Sequence, residues 1–336
     1  MLDYETIKKI DSQGMCQVYD TWPQIALEAY ESNHEQIDYD DIDHIVFAGM
    51  GGSGAVGDVL SSILSKTNMH VFNVKGYTLP QTIDEKTLVI ATSVSGNTSE
   101  ILSILNSLNK TNCKLITFTS GGKILDLCIK NNIDYRILKK IQSPRASFPY
   151  FLFSILKILG SVIPVTKNDV IESIQNMNTI QKSISFSNLT ETNSSLGLAE
   201  WISGMPVIYY PWGLESAAVR FKNSLQENAK LHAIAENVME ACHNGIVAWE
   251  RSSNAQPIMI EGDDDYIKTK ERWEILKEYF QASNIEYREI QSGKGGILSK
   301  LISLIYRLDY STLYLAIKNG IDPAPIRSID FVKDRL

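Results

Sequence analysis

Two side chains suited to proton transfer, Glu227 and His243, lie 16 residues apart in the second half of the chain. A carboxylate partly shielded from water and an imidazole that titrates near neutral pH can each take a proton from one atom and return it to another. On composition alone, residues 220–226 before Glu227 suit a solvated helix face, and an isolated His is most often structural. Acid–base chemistry therefore depends on what else the chain brings to the same substrate.

Two polar segments in the first half each follow a short apolar run that is typical of a buried parallel strand. Apolar residues at helical spacing come next, so each segment is predicted to join a strand to a helix. Backbone N–H groups and the positive end of a helix dipole meet at such a junction and favour an anion. One such loop is equally well explained as an N-cap, whereas two on neighbouring strands favour a phosphate site. The candidate ligands are Gly52, Ser53, Ser93, Ser95 and Thr98.

Residues 49–54 also satisfy G-x-G-x-x-G, the fingerprint of dinucleotide-binding folds. That fingerprint expects an acidic residue about 20 positions further on, to hold the ribose hydroxyls. Residues 59–83 contain no Asp or Glu, which disfavours NAD. Lys75 could serve a 2′-phosphate, so an NADP-dependent reductase remains an alternative.

The arrangement of predicted strands indicates an α/β protein with two doubly wound α-β-α domains, each with a mainly parallel central sheet. We expect domains at residues 1–165 and 166–336, with a connector within about 167–198. Ligands of such sheets bind beyond the carboxyl ends of the strands, where both polar segments fall. The predicted strands are 44–48, 71–74, 87–91, 114–118 and 133–137, then 206–210, 257–260 and 285–290.

The composition of the chain restricts which classes of molecule it is expected to bind. A net charge of −7 over 336 residues argues against nucleic acid, and no apolar run is long enough to span a bilayer. Four scattered cysteines without metal-ligand spacing indicate reduced thiols and no zinc site, so no metal or cofactor is expected. Residues 1–5 show no secretory signal, so a cytoplasmic protein with a small-molecule substrate is expected.

The combined motifs resemble those of the sugar isomerase (SIS) domain family. The first half contributes residues 49–54, 93–98 and 143–146 to this resemblance. In the second half, Glu227-Asn228-Ala229-Lys230, Glu240-x-x-His243-Asn244 and a tail from Asp322 to Lys333 are similar to bifunctional phosphoglucose/phosphomannose isomerases. The resemblance runs from about Gly49 to the C-terminus.

That resemblance implies an aldose–ketose isomerase of glycolysis and gluconeogenesis. It would interconvert glucose 6-phosphate and mannose 6-phosphate with fructose 6-phosphate through a cis-enediol. The family implies that Glu227 moves the proton, His243 opens the sugar ring, and Arg145 and Lys333 hold the substrate and offset charge on the enediolate. It further implies a homodimer in which His243 reaches the partner's site.

Other interpretations remain open. A non-catalytic SIS module that senses sugar phosphates and another SIS sugar-phosphate isomerase are both alternatives to the bifunctional enzyme. On composition alone, Arg145 suits a surface cap and Lys333 a frayed terminal helix. Ala324 stands where relatives often carry Thr, which removes a hydroxyl near the expected sugar site.

Overall fold

The computed structural model describes residues 2–108 and 111–336. It divides into two compact units. The serine-loop unit comprises Thr21–Ile174 with Val332–Leu336, and the glutamate unit comprises the segment up to Asp20 with Gln175–Phe331. The expected limits 1–165 and 166–336 stay a prediction. The two compact units differ from them in the segment up to Asp20, in residues 166–174 and in Val332–Leu336.

Strands and helices alternate through most of the chain. The described strands are β1 (His44–Gly49), β2 (His70–Val74), β3 (Thr87–Ser93), β4 (Lys114–Thr119), β5 (Asp134–Ile137), β6 (Met205–Tyr210), β7 (Ile234–Asn237), β8 (Ala255–Glu261) and β9 (Arg288–Gln291). The described α-helices are α1 (Tyr4–Ile10), α2 (Met15–Asp20), α3 (Trp22–Tyr30), α4 (Gly51–Leu64), α5 (Ser99–Ser107), α6 (Gly122–Asn131), α7 (Phe148–Ile158), α8 (Lys167–Ile184), α9 (Ser194–Trp201), α10 (Glu215–Glu227), α11 (Val238–Ala241), α12 (Ile267–Ala282), α13 (Ile297–Lys318) and α14 (Arg327–Lys333). A 3₁₀ helix spans Gly245–Glu250.

The serine-loop unit contains a sheet of order β2-β1-β3-β4-β5 in which every described pair is parallel. Alternate residues of β1 face opposite layers. Val46 packs with α5 and α6, whereas Phe47 lies under Gly57 of α4. This confirms the doubly wound α/β class. The strand order reverses between β1 and β3, the position at which such sheets bind ligands.

The glutamate unit contains a second parallel sheet, of order β7-β6-β8-β9. The order matches β2-β1-β3-β4 of the first sheet, as expected for two copies of one fold. The edge strand β7 was not predicted. Its four residues, Ile-Ala-Glu-Asn, are exposed or half-buried, and they lack the apolar run that marks a buried strand.

Helix α13 forms the core of the glutamate unit, and 19 of its 22 residues are buried. Three of its tyrosines, four residues apart, bind chain segments that are distant in sequence. Tyr306 and Tyr310 donate to Tyr19 O at 2.8 Å and Asp20 Oδ1 at 2.7 Å, and Tyr314 donates to Ile184 O at 2.6 Å. These bonds explain why the N-terminal segment packs with the second half of the chain.

Helix α8 and part of α9 occupy the segment that was expected to be a connector. Helix α4 also begins earlier than predicted, because the glycine-rich segment that was expected to be a loop forms its first turn from Gly51. Glycine has low helix propensity, which hides such a turn in the sequence. Within the described ranges, no helix is long and apolar enough to cross a membrane.

Candidate functional site

Ser53 links the two predicted phosphate segments. It lies in the first turn of α4, directly beyond β1, and is 6% exposed. Its Oγ accepts a hydrogen bond of 3.0 Å from Val94 N, in the loop after β3. The two segments are therefore adjacent across the reversal point of the sheet, as the sequence predicted.

Three hydroxyls converge at the start of α5. Thr98 Oγ1 lies 2.8 Å from Ser93 Oγ and 3.5 Å from Ser95 Oγ. Thr98 occupies the N-cap position, but its side chain makes no capping bond to α5. The hydroxyls therefore form a cluster beside a helix N-terminus whose N-cap side chain makes no capping bond, and an anion can bind N–H groups and hydroxyls there.

Gly96 holds this loop against the next one along the sheet. Its φ is +69°, and a Cβ at this position would lie 1.8 Å from Gly121 O. Ile124 N donates to Gly96 O at 2.9 Å, and Lys123 N donates to Asn97 Oδ1 at 3.1 Å. Only glycine satisfies both the backbone conformation and the close approach.

Gly52 and Arg145 are brought together. A Cβ at Gly52 would lie 2.8 Å from Pro144 O and 3.1 Å from Arg145 N, so the first turn of α4 touches this segment. Arg145 is only 5% exposed, which contradicts the surface cap that composition alone suggested. The serine-loop unit thus places Arg145 beside one of the two phosphate segments.

Lys75 has a partner of its own. Its Nζ lies 2.6 Å from Asp58 Oδ2, and Asn73 Nδ2 donates to Asp58 Oδ1 at 3.2 Å. A nearby carboxylate already balances this ammonium, which weakens the case for an NADP 2′-phosphate at Lys75. Among residues 2–108 and 111–336, no group of three or more His, Cys, Asp or Glu side chains is placed to hold a metal ion.

In the glutamate unit, Glu227 is the last residue of α10 and is half-buried. Leu231 N returns to Leu225 O at 3.2 Å, and Lys230 adopts the left-handed conformation with φ of 56° that this chain reversal needs. Lys230 Nζ donates to Glu227 O at 2.6 Å and to Pro323 O at 3.4 Å. The backbone of Glu227 is thereby tied to the segment that contains Ala324.

The residues before Glu227 do not form the solvated face that composition suggested. Arg220, Ser224 and Asn228 lie four residues apart and are all buried against α13. The Arg220 guanidinium donates to Asp309 Oδ2 at 2.7 and 3.0 Å, and Ser224 Oγ donates to Asp309 Oδ1 at 2.7 Å. Asn228 Nδ2 donates to Thr312 Oγ1 at 2.8 Å. We call these five residues the polar seam.

Complete burial raises the pKa of the Asp309 carboxyl, and Arg220 and Ser224 oppose that shift. Sequence reasoning missed the polar seam. Its signal is a row of polar residues at four-residue spacing in α10, together with Asp309 and Thr312 in a helix that is otherwise mostly apolar.

His243 follows β7 and α11 and is exposed. In the part of the chain that the structure describes, its imidazole has no hydrogen-bond partner. Its neighbour Asn244 donates to Glu240 Oε1 at 2.7 Å, and Val247, just beyond it, is 57% exposed. The ring is therefore open to another molecule.

Glu227 and His243 lie at opposite ends of the strands of one sheet. Helix α10 follows β6 and precedes β7, which is parallel to β6. The helix must therefore run back from the carboxyl ends of the strands to their amino ends. With 13 residues it is ~20 Å long. Glu227 ends this helix near the amino ends of the strands, whereas His243 lies beyond the carboxyl end of β7. The glutamate unit does not bring the two side chains together.

Lys333 ends α14 and is exposed. It belongs to the five C-terminal residues that group with the serine-loop unit. Among the described residues, its ammonium makes no hydrogen bond or ion pair. Ala324, by contrast, is buried, and its N–H donates to Asp322 Oδ1 at 3.1 Å.

Comparison with known proteins agrees with this fold. Residues 191–336 match the family model described as the bacterial phospho-glucose isomerase C-terminal SIS domain, and residues 39–141 match the SIS domain. A hypothetical protein of Thermus thermophilus superposes with a TM-score of 0.74 over 98% of this chain and 92% of its own, at 13% identity. That likeness shows a shared fold.

Two curated relatives are more similar in sequence. A D-glucosamine-6-phosphate 4-epimerase of Sulfolobus acidocaldarius is 30% identical over 256 residues, which cover 74% of this chain and 78% of that protein. A bifunctional phosphoglucose/phosphomannose isomerase of Caldicellulosiruptor bescii is 31% identical over 328 residues, which cover 94% of this chain and 96% of that protein. The chain therefore belongs to the family of bifunctional phosphoglucose/phosphomannose isomerases, which are built from SIS domains.

Proposed function

We propose that this protein interconverts glucose 6-phosphate and mannose 6-phosphate with fructose 6-phosphate. The observation that carries the proposal is the convergence of Ser93, Ser95 and Thr98 at the start of α5, in a chain of this family. Three hydroxyls and a helix N-terminus bind a phosphate without a metal ion. Gly52 and Ser53 complete this phosphate site from the neighbouring strand.

Proton transfer between carbons 1 and 2 is assigned to Glu227. Its carboxylate takes the proton from C2 of the open aldose and returns it to C1 of the cis-enediol, while a hydroxyl proton passes from O2 to O1. If the enediol turns about its C2–C3 bond, it presents the other face of C2 to the same carboxylate, and return of the proton to that face yields the epimer. Arg145 and Lys333 supply positive charge for the enediolate.

Ring opening is assigned to His243, and a homodimer is proposed. The support is geometric, because Glu227 and His243 lie at opposite ends of the strands of one sheet, and both His243 and Val247, four residues further on, are exposed. In the dimer, His243 enters the site of the other copy. The proposal includes a cytoplasmic location, because doubly charged sugar phosphates do not cross a bilayer unaided. It also includes the part in glycolysis and gluconeogenesis that the resemblance implies.

The test is Glu227→Gln, which keeps the shape of the side chain and removes the base. With fructose 6-phosphate as substrate, we expect the formation of both aldose phosphates to fall at least a thousandfold, while fructose 6-phosphate still binds. Glu215→Gln is the matched control, because Glu215 is an exposed carboxylate at the other end of α10. It is expected to retain normal turnover.

Normal turnover by the Glu227→Gln protein would exclude the assigned base. Binding of sugar phosphates by the wild-type protein without any product would instead indicate a sensing module. Conversion of glucosamine 6-phosphate to its C4 epimer, with no aldose formed from fructose 6-phosphate, would assign the chemistry of the Sulfolobus relative.

A further inference from the structure

The polar seam joins α10 to α13 at two levels. Asp309 binds Arg220 and Ser224, and Thr312 binds Asn228 one turn further along α10. Each of these residues is at most 5% exposed. Asn228 directly follows Glu227. A shift of Asn228 caused by a change in its side-chain bond to Thr312 is therefore passed to the backbone of Glu227 through one peptide unit.

We propose that the polar seam positions the Glu227 carboxylate for proton transfer, with Thr312 as a positioning residue that does not touch the substrate. This inference rests on the proposed function of Glu227. Apolar contacts alone allow a helix to rotate or slide by small amounts. Directional bonds at two levels fix both the rotation and the axial position of α10.

Stability alone does not account for a polar seam at this place. Burial of an Arg–Asp pair costs desolvation, and well-packed apolar residues of similar volume are often as stabilising or more so. Asn228 carries a further cost, because its buried Oδ1 has no hydrogen-bond partner within the described residues. In our proposal, the fold bears these free-energy costs because the polar seam fixes the position of the neighbouring Glu227 carboxylate.

The experiment compares substitutions at two adjacent hydroxyls of α13. Thr312 Oγ1 and Ser311 Oγ each donate to the carbonyl three residues earlier in their own helix, at 2.6 and 2.7 Å. Of the two, only Thr312 also accepts the bond from Asn228, which directly follows α10. Thr312→Val removes that bond and keeps the shape, Thr312→Ser keeps the hydroxyl, and Ser311→Ala is the matched control.

For folded Thr312→Val protein, we expect kcat with fructose 6-phosphate to fall at least tenfold while KM stays within twofold, because the phosphate site is unchanged. Thr312→Ser and Ser311→Ala should keep kcat within twofold of the wild type. If Thr312→Val does not fold, Ser224→Ala tests the other level of the polar seam, with a kcat at least threefold lower and an unchanged KM.

Three results decide the inference. A kcat that is unchanged per folded molecule in both Thr312→Val and Ser224→Ala would overturn it, provided that Glu227→Gln is inactive. An equal loss in Ser311→Ala would overturn it too, because it would show a general response to a lost buried hydroxyl. Full activity of Glu227→Gln would exclude Glu227 as the base, on which this inference rests, whatever Thr312→Val shows.

Discussion

Gly96→Ala tests how rigidly the serine loop is held. Gly96 and Gly320 have almost the same φ, +69° and +70°, but differ in their surroundings. A Cβ at position 96 would lie 1.8 Å from Gly121 O, whereas no atom lies within 4 Å of a Cβ at position 320 among the described residues. Gly320→Ala therefore isolates the backbone strain, and Gly96→Ala adds the steric conflict.

The expected magnitudes follow from these contacts. A left-handed conformation costs an L-residue about 1–2 kcal/mol, which both variants share. At position 96, overpacking adds about 1–3 kcal/mol, and displacement of Gly121 strains the bonds of Ile124 N and Lys123 N, worth about 1 kcal/mol each. Summed, these costs predict a loss of about 4–7 kcal/mol for Gly96→Ala and about 1–2 kcal/mol for Gly320→Ala.

Calorimetry and steady-state kinetics check this expectation. At about 2–4 °C per kcal/mol for a unit of this size, Gly96→Ala should lower Tm by roughly 15 °C and Gly320→Ala by roughly 5 °C. Since Ser95 and Thr98 flank Gly96, KM for fructose 6-phosphate should also rise about tenfold in Gly96→Ala only. Equal changes in Tm for the two variants would refute the assumption that the Gly96–Gly121 contact is rigid.

Two further predictions concern pH dependence and specificity. Burial raises the pKa of Asp20, against hydrogen bonds from Ser185 and Tyr310. A raised pKa stabilises the fold fully below the unfolded value of about 3.9, and this contribution is lost as the pH rises through the folded value. Asp20→Asn should therefore gain unfolding free energy relative to the wild type in urea titrations as the pH rises from about 4 through the folded pKa of Asp20. A difference that stays constant with pH would contradict this. Ala324→Thr places a hydroxyl on the segment that Lys230 ties to Glu227, and we expect it to raise the mannose share of the aldose phosphates severalfold; an unchanged product ratio would remove position 324 from the control of specificity.

The sequence was most informative where the signals are local. Strands β1 and β3 are continuous apolar runs, and the glycines and hydroxyls that follow them have few explanations other than a helix start at a strand end. Both the parallel sheet and the adjacency of the serine segments could therefore be predicted. The roles of Glu227, His243 and Lys333 came from resemblance, and the structure shows their positions without testing those roles.

Contacts between distant parts of the chain could not be predicted. Arg220 resembles a solvated residue until Asp309, 89 residues later, is found beside it. The N-terminal helices pack with the second half because Tyr306 and Tyr310 bind Tyr19 and Asp20 across more than 280 residues. Periodicity in a single segment carries no information about such partners.

Glu227 and His243 lie at opposite ends of the strands of one sheet, and this affects how substitutions that lower the activity should be interpreted. If each site is completed by the other copy, a substitution that merely weakens self-association removes the ring-opening group from the reaction. Such a substitution would look like a loss of catalysis, although it lies far from the bound sugar. Its rate per molecule would recover as the protein is concentrated, whereas that of a true chemical defect would not.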